Sequence, residues 1–345
     1  MKKSVFTKSI SERGQPCPRG IGFSIRADKA VRAPALIAFR SALAFGLALL
    51  FARPIDAVNP PPTPDTLAVK VFTKREGTLT HFYVDNQELS EVTMTFELNL
   101  VNLRGTTNFP RTVTFPGGQV TEAFTLTPID CAETWEFSYT NYYKLGSAVA
   151  QHDDSYLYQL PYAPGATYKV TQAFGGSFSH KGSNLHAIDW LMREGTPVCA
   201  ARGGLVVRVK DDSDTGGGTI QFDPYNNYVL IRHEDGTLGH YCHLEKNGIC
   251  VEPGQMVNPG QVIAHSGNTG FSSGPHLHFC VFKTRNGRER VSIPIRFKTS
   301  DEKPVTLVQG RRYKALPVVM GSVNATAIVG QKTKEIQGTP AGAAL

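Results

Sequence analysis

From Leu67 to Phe297 the chain is written in short runs of alternating polar and apolar residues, each cut off by glycine, asparagine, aspartate or proline. Alternation with period two puts successive side chains on opposite faces of a strand, and runs this short between turn residues leave no room for long helices. Val69-Lys-Val-Phe72, Thr80-His-Phe-Tyr-Val84, Val92–Leu100 and Trp135-Glu-Phe-Ser-Tyr139 predict a small antiparallel sandwich within residues 66–165. Val198–Arg202, Gly204–Val209, Asn227–His233 and His276–Val281 predict a second set of strands within residues 166–300. The fold class expected is all-β, an N-terminal β-sandwich-like domain followed by a compact antiparallel β domain. Thr215-Gly-Gly-Gly218 is read as a hairpin turn, because no Gly-Lys-Ser/Thr follows to make it a phosphate loop. In residues 301–345 one more strand is expected around Thr306–Tyr313, ahead of a Gly-, Ala- and Thr-rich tail expected to be disordered.

The net charge of +7 is not spread over this body. Residues 1–57 hold ten basic side chains against three acidic ones, which accounts for all of it. The rest of the chain is neutral, so no polyanion-binding surface and no nucleic-acid partner is expected. The basic stretch leads into the apolar run Ser41–Phe51, broken by Pro54 and followed by Ala57, the layout of an export signal. Residues 1–57 are read as a presequence, with a retained anchor as the alternative; Arg40 interrupts Ala35–Ala52 and makes a full span poor. Export to the periplasm or the exterior is expected, with no stable membrane span after cleavage. Asn59-Pro-Pro-Pro-Thr-Pro64 makes residues 58–65 a stiff linker. Five cysteines remain beyond Cys17, an odd number, so one or two disulfides would leave at least one free thiol. The lack of a Cys-x-x-Cys pair argues against a zinc knuckle.

Five of the ten histidines fall in three short segments of the second region. In Gly274-Pro-His-Leu-His-Phe279, His276 and His278 stand two apart on a strand and project to one face. Upstream, Ser179–Trp190 holds His180, His186 and Asp189, and Tyr241-Cys-His-Leu244 holds His243. Two imidazoles and a carboxylate leave the fourth zinc position open for water, which a hydrolytic zinc site needs. The two further histidines would move protons or stabilise a developing oxyanion. His152-Asp153-Asp154 is read as a solvated turn, His233 as a strand end at the surface, and His240 and His265 as solvated or packed.

These segments, in order, resemble the lysostaphin-type (LytM-like) zinc metallopeptidases. The matching text is the Asp189 segment, Gly195–Val206, Asn227–Gly236, Tyr241–Leu244, Val251–Ile263 and Ser266–Phe279. The resemblance covers roughly residues 166–297 and implies a compact antiparallel β metallopeptidase domain with a groove open at both ends. It implies one zinc ion per chain, with ligands at Asp189 and His278 and catalytic histidines at His243 and His276. It also implies hydrolysis of peptide cross-links in bacterial peptidoglycan, with stem or cross-bridge peptides as partners. The family's first histidine ligand stands four residues before its aspartate, where this chain has Leu185; its last motif ends in glutamate, where this chain has Cys280. The missing ligand is therefore sought in His180 or His186. Residues three apart on a regular strand face opposite ways, so His186 and Asp189 would not meet without a bulge. Lys181-Gly-Ser-Asn184 is turn-rich and can loop His180 back, which makes His180 the expected ligand. Two other readings stay open: a catalytically inactive wall-binding or hydrolase-activating member of the same fold, and a zinc protease acting on extracellular proteins.

Overall fold

The computed structural model describes residues 12–14, 66–300 and 304–317. The rest of the presequence, the linker 58–65 and the rest of the tail lie outside the described residues, as do the expectations made for them. Strands and the loops between them build everything described; the two helical pieces are the short 3-10 turns Gly182–Asn184 and Ile220–Tyr225. Among the described residues no helix is long and apolar enough to cross a membrane.

The first region is two antiparallel sheets laid face to face. One runs Glu12–Gly14, Trp135–Leu145, Val92–Val101, Arg111–Phe115, and the other Val69–Glu76, Leu79–Asn86, Gln119–Pro128, Leu103–Gly105. Alternation does what the period-two pattern predicts: Phe82 and Val84 point inward while His81 and Tyr83 lie at the outer face. Aromatic rings close the gap between the sheets, with Phe82 edge-on to Phe137 at 5.3 Å and Phe96 edge-on to Phe124 at 5.2 Å. Edge-on packing of this kind adds to the area that the rings bury.

The second region is built on a nine-stranded sheet, joined by a smaller three-stranded sheet of Pro197–Cys199, Val262–Ser266 and Leu244–Ile249. The main path of the larger sheet runs Met256–Val257, Gly204–Lys210, Tyr228–Arg232, Leu238–Cys242, His276–Thr284, Ile188–Leu191, Thr167–Gln172 and Arg312–Lys314. One face carries the core, with Val206, Ile231, Tyr241, Leu277, Phe279 and Trp190 buried in it. Tyr158, Leu160 and Tyr162 pack in this core although they precede residue 166. The sandwich docks through charged and backbone contacts: Arg208 on Glu88 at 3.0 Å, Arg232 Nε on Glu91 at 2.6 Å, and Thr284 Oγ1 donating to the Leu145 carbonyl. Gly287 lets the two backbones touch, since a Cβ there would fall 2.0 Å from the Tyr142 carbonyl oxygen.

Three local expectations need correction. Gly216–Gly217 is not a hairpin turn but pairs in parallel with Gly270–Phe271, a close approach that only glycine allows at Gly216, where a Cβ would meet the Asn268 carbonyl at 1.9 Å. His233 does not sit at the surface; it is fully buried, with Nδ1 donating to the Gly203 carbonyl and the ring packed between Tyr158 and Gly239, where a Cβ would fall 2.9 Å from Nε2. Burial pushes its pKa down to about 4. The late strand is Arg312–Lys314, which pairs with Thr167–Lys169 and so closes the sheet edge beside the site. All five described cysteines are free thiols.

Candidate metal centre and active site

Register assembles the centre. Antiparallel pairing of Ile188–Leu191 with His276–Thr284 sets Asp189 directly across from His278, and Leu238–Cys242 on the other side sets Cys242 across from His278. Asp189 Oδ1 lies 2.8 Å from His278 Nδ1 and 3.9 Å from His276 Nε2. The third member arrives by a loop: His180 Nε2 is 3.1 Å from the same Oδ1. One ligand atom from each of His180, Asp189 and His278 lies within 4.8 Å of the others, and all three residues are buried.

The chemistry of this donor set fits a metal ion. His180 Nδ1 donates to the Ala173 carbonyl at 2.8 Å, so its proton is placed there when the ring is neutral. Its Nε2 is buried, has no hydrogen-bond partner, and aims a lone pair at a carboxylate. Two acceptors facing each other in a water-poor site need a cation between them. The pKa directions agree. Burial alone would raise the Asp189 carboxyl, but the hydrogen bond and charge from His278, with charge from His276, hold it well below the usual carboxylate range. Burial lowers His278 despite the neighbouring Asp189, which favours the neutral ring that ligates a metal.

His243 and His276 flank the three. His243 follows the Leu238–Cys242 strand with φ of +62°, a left-handed conformation unusual outside glycine and asparagine. Its amide donates to Asn226 Oδ1 and its Nδ1 to the Thr269 carbonyl at 2.7 Å. Nε2 is thereby the free nitrogen. His276 is held the same way, with Nδ1 on the Gly274 carbonyl at 2.7 Å and Ser272 Oγ nearby at 3.2 Å. The His243 and His276 rings lie 4.6 Å apart. Burial, followed by repulsion from His276 and His278, keeps His243 neutral, well below the usual imidazole range.

His186 stands elsewhere: its amide and Nδ1 meet the Ser292 hydroxyl and carbonyl, and its ring packs edge-on against Phe174. The parity argument used to set it aside assumed a strand over residues 186–189, whereas the strand begins at Ile188 and the Gly182–Asn184 turn precedes it. Cys280, in the place of the family's glutamate, is a buried thiol that burial pushes up to about 12, as it does Cys242. Neither is a ready nucleophile. Sequence reading passed over Gln172, whose Nε2 donates to Asp189 Oδ2 at 2.9 Å, and the carbonyls of Ala173, Thr269 and Gly274. Carbonyls leave no trace in residue type. Gln172 was hidden by a register shift between it and Val170, which turns it from the core side of its strand to the side of Asp189.

Residues 183–291 match Peptidase family M23. His180 lies just before that segment; Asp189, His243, His276 and His278 lie inside it. An uncharacterized metalloprotease of Haemophilus influenzae is 37% identical over 119 residues, which make up 34% of this chain and 21% of that protein. Peptidoglycan DD-endopeptidase ShyA of Vibrio cholerae is 41% identical over 91 residues, 26% of this chain and 18% of that one. Lysostaphin of Staphylococcus simulans is 38% identical over 98 residues, 28% of this chain and 18% of that one. The aligned stretch thus spans a fifth or less of ShyA and lysostaphin, and the sandwich lies outside the segment that matches the family.

Proposed function

We propose that this chain, whose residues 183–291 match Peptidase family M23, is an exported zinc metalloendopeptidase that hydrolyses peptide cross-links of bacterial peptidoglycan. The observation that carries the reading is the convergence of His180 Nε2, Asp189 Oδ1 and His278 Nδ1 beside two histidines whose Nδ1 atoms are tied to backbone carbonyls. Those three residues are the proposed ligands of one zinc ion per chain. When bound, zinc supplies an acidified water and polarises the scissile carbonyl. His243 and His276 supply the rest. With Nδ1 tied to the Thr269 carbonyl, neutral His243 offers its Nε2 lone pair to the proton leaving the attacking water. His276, its Nδ1 fixed on Gly274, directs Nε2 toward the place where the oxyanion develops and, once protonated, stabilises it. Either ring can then return a proton to the departing amine. The two rings are held by backbone carbonyls, so little reorganisation is needed as charge moves.

The division into a sandwich within 66–165 and a peptidase domain within 166–300 is part of the same proposal, as is the cleaved presequence. The test is a digest of purified muropeptides read by mass spectrometry, alongside metal analysis of the mature chain. Release of two peptides from a cross-linked dimer, abolished by chelation and restored by zinc, is the expected result. A protein with no metal, or one whose hydrolysis is indifferent to chelator, would overturn it.

A further inference from the structure

The displaced first ligand poses a mechanical problem. A histidine four residues before the aspartate would be placed by local backbone, but His180 stands nine residues before Asp189, across a turn and outside the strand ladder. Something other than strand register has to hold its ring against Asp189. The side chain that touches both sides of the gap is Gln172, at the end of the Thr167–Gln172 strand and 8% exposed. Its Oε1 accepts from the amides of Phe178 and Ser179 at 3.0 and 3.1 Å. Its Nε2 donates to Ser179 Oγ at 2.8 Å and to Asp189 Oδ2 at 2.9 Å. All four hydrogen-bonding valences of the amide are used, and its orientation is unambiguous, because the carboxylate only accepts and the two amides only donate.

We propose that Gln172 is a positioning residue that clamps the His180 loop to Asp189 and makes the displaced histidine competent as a metal ligand. This rests on the metal-site reading above and adds a residue outside the matched family segment. The clamp acts on both ligands at once. On the loop side it fixes the two residues before His180, while the Ala173 carbonyl next to Gln172 fixes the tautomer of His180. On the other side it occupies Oδ2 of Asp189 and so leaves Oδ1, the oxygen shared by His180 and His278, as the single ligating atom. The loop is built around this side chain: a Cβ at Gly176 would fall 2.1 Å from Gln172 Cγ, so glycine is needed there for space. The return leg is braced separately, by Gly175 donating to the Leu185 carbonyl and by Arg290 donating to Asn184 Oδ1. Leu185, at the position where the family keeps its histidine, here contributes only its backbone to holding the detour.

The experiment uses the full mature chain and two probes, zinc affinity by competition with a chromophoric chelator and the visible spectrum of the cobalt-loaded protein. Gln172→Met keeps length and removes every polar contact; Gln172→Glu keeps the acceptor for the two amides but cannot donate to Asp189. Both are expected to bind zinc about 10–100-fold more weakly, with altered cobalt bands. Gly176→Ala, which pushes the clamp from outside, should weaken binding in the same direction, while His186→Ala leaves affinity unchanged. A merely structural role would lower the melting temperature of the chelated protein yet leave the zinc affinity and cobalt spectrum of the folded protein as in wild type. That result, for either Gln172 variant that folds or for Gly176→Ala, would overturn the proposal alone. Wild-type protein that takes up neither metal would overturn the metal-site reading and the clamp with it.

Discussion

Strand Trp135–Leu145 buries every second residue through Tyr143, and the residues between them stay half-exposed. Strand His276–Thr284 buries residues on both faces. Its Leu277, Phe279 and Val281 enter the apolar core, and its His278, Cys280 and Phe282 are buried on the opposite side. In the sandwich the second face meets water and polar groups there cost nothing. In the nine-stranded sheet the second face is covered, so each polar group on it must find a partner or a metal. A pair of histidine–carboxylate contacts makes the same point. His81 and Glu122 meet at 2.7 Å on the sandwich surface, with the Glu122 side chain 43% exposed. Asp189 meets His180 and His278 at similar distances in a buried site. The exposed contact is screened by water and weakly coupled, whereas the buried one is coupled strongly to everything around it.

The largest effect that would sharpen this contrast is Asp189→Ala. Zinc content should fall from one per chain to near zero and hydrolysis to background; a variant that still carries its metal would place this carboxylate outside the centre. Next in size, His243→Ala and His276→Ala should lower kcat by about 10²–10⁴ while zinc content stays at wild-type level. Metal-free protein from either variant would make that histidine a ligand. In the other region, Phe82→Ala should cost about 3–5 kcal/mol in denaturant unfolding, because a fully buried ring leaves a cavity. Zinc affinity of the folded protein should not change; if it does, the two cores are coupled.

Asp235 tests a half-buried carboxylate away from the centre. Burial pushes its pKa up, but hydrogen bonds from Thr237 and Arg202 outweigh it and bring it down to about 2, below the ordinary 3.8. Its contribution to stability is therefore full above about pH 4 and is lost as the pH falls toward 2. Asp235→Asn should melt lower at neutral pH and show a shallower acid limb in a pH series of thermal scans; parallel limbs would remove the ion pair from the account. The smallest change expected is Glu122→Gln, worth less than about 1 kcal/mol in chemical denaturation and reduced further by salt.

Much of this contrast is legible before folding. Alternation marks the strands in both regions, and the spacing of His276 and His278 places both on one face without any knowledge of the partner strand. Asp189 and His243 emerge from the ordered resemblance. The selection of His180 over His186 came out of a strand argument that the chain does not obey, since the strand begins only at Ile188 and His186 lies in the turn before it. Burial of His233 was missed because a strand end is exposed only when nothing packs over it, and here Tyr158, from an earlier segment of the chain, does. The parallel contact of Gly216–Gly217 with Gly270–Phe271 joins segments that no local turn rule connects.

Residue pattern therefore settles what is periodic and short-range: the all-β architecture, the face of each strand, and the residue types available for chemistry. Tertiary structure alone decides which nitrogen of each histidine is free, since the carbonyls of Ala173, Thr269 and Gly274 do that, and Thr269 lies 26 residues from the ring that it orients. It alone brings Gln172 to Asp189 across 17 residues. The physical reason is that strand register follows from a two-residue repeat carried in every strand, whereas the position of a looped-out side chain follows from hydrogen bonds to backbone groups that every residue possesses, and residue identity does not encode those.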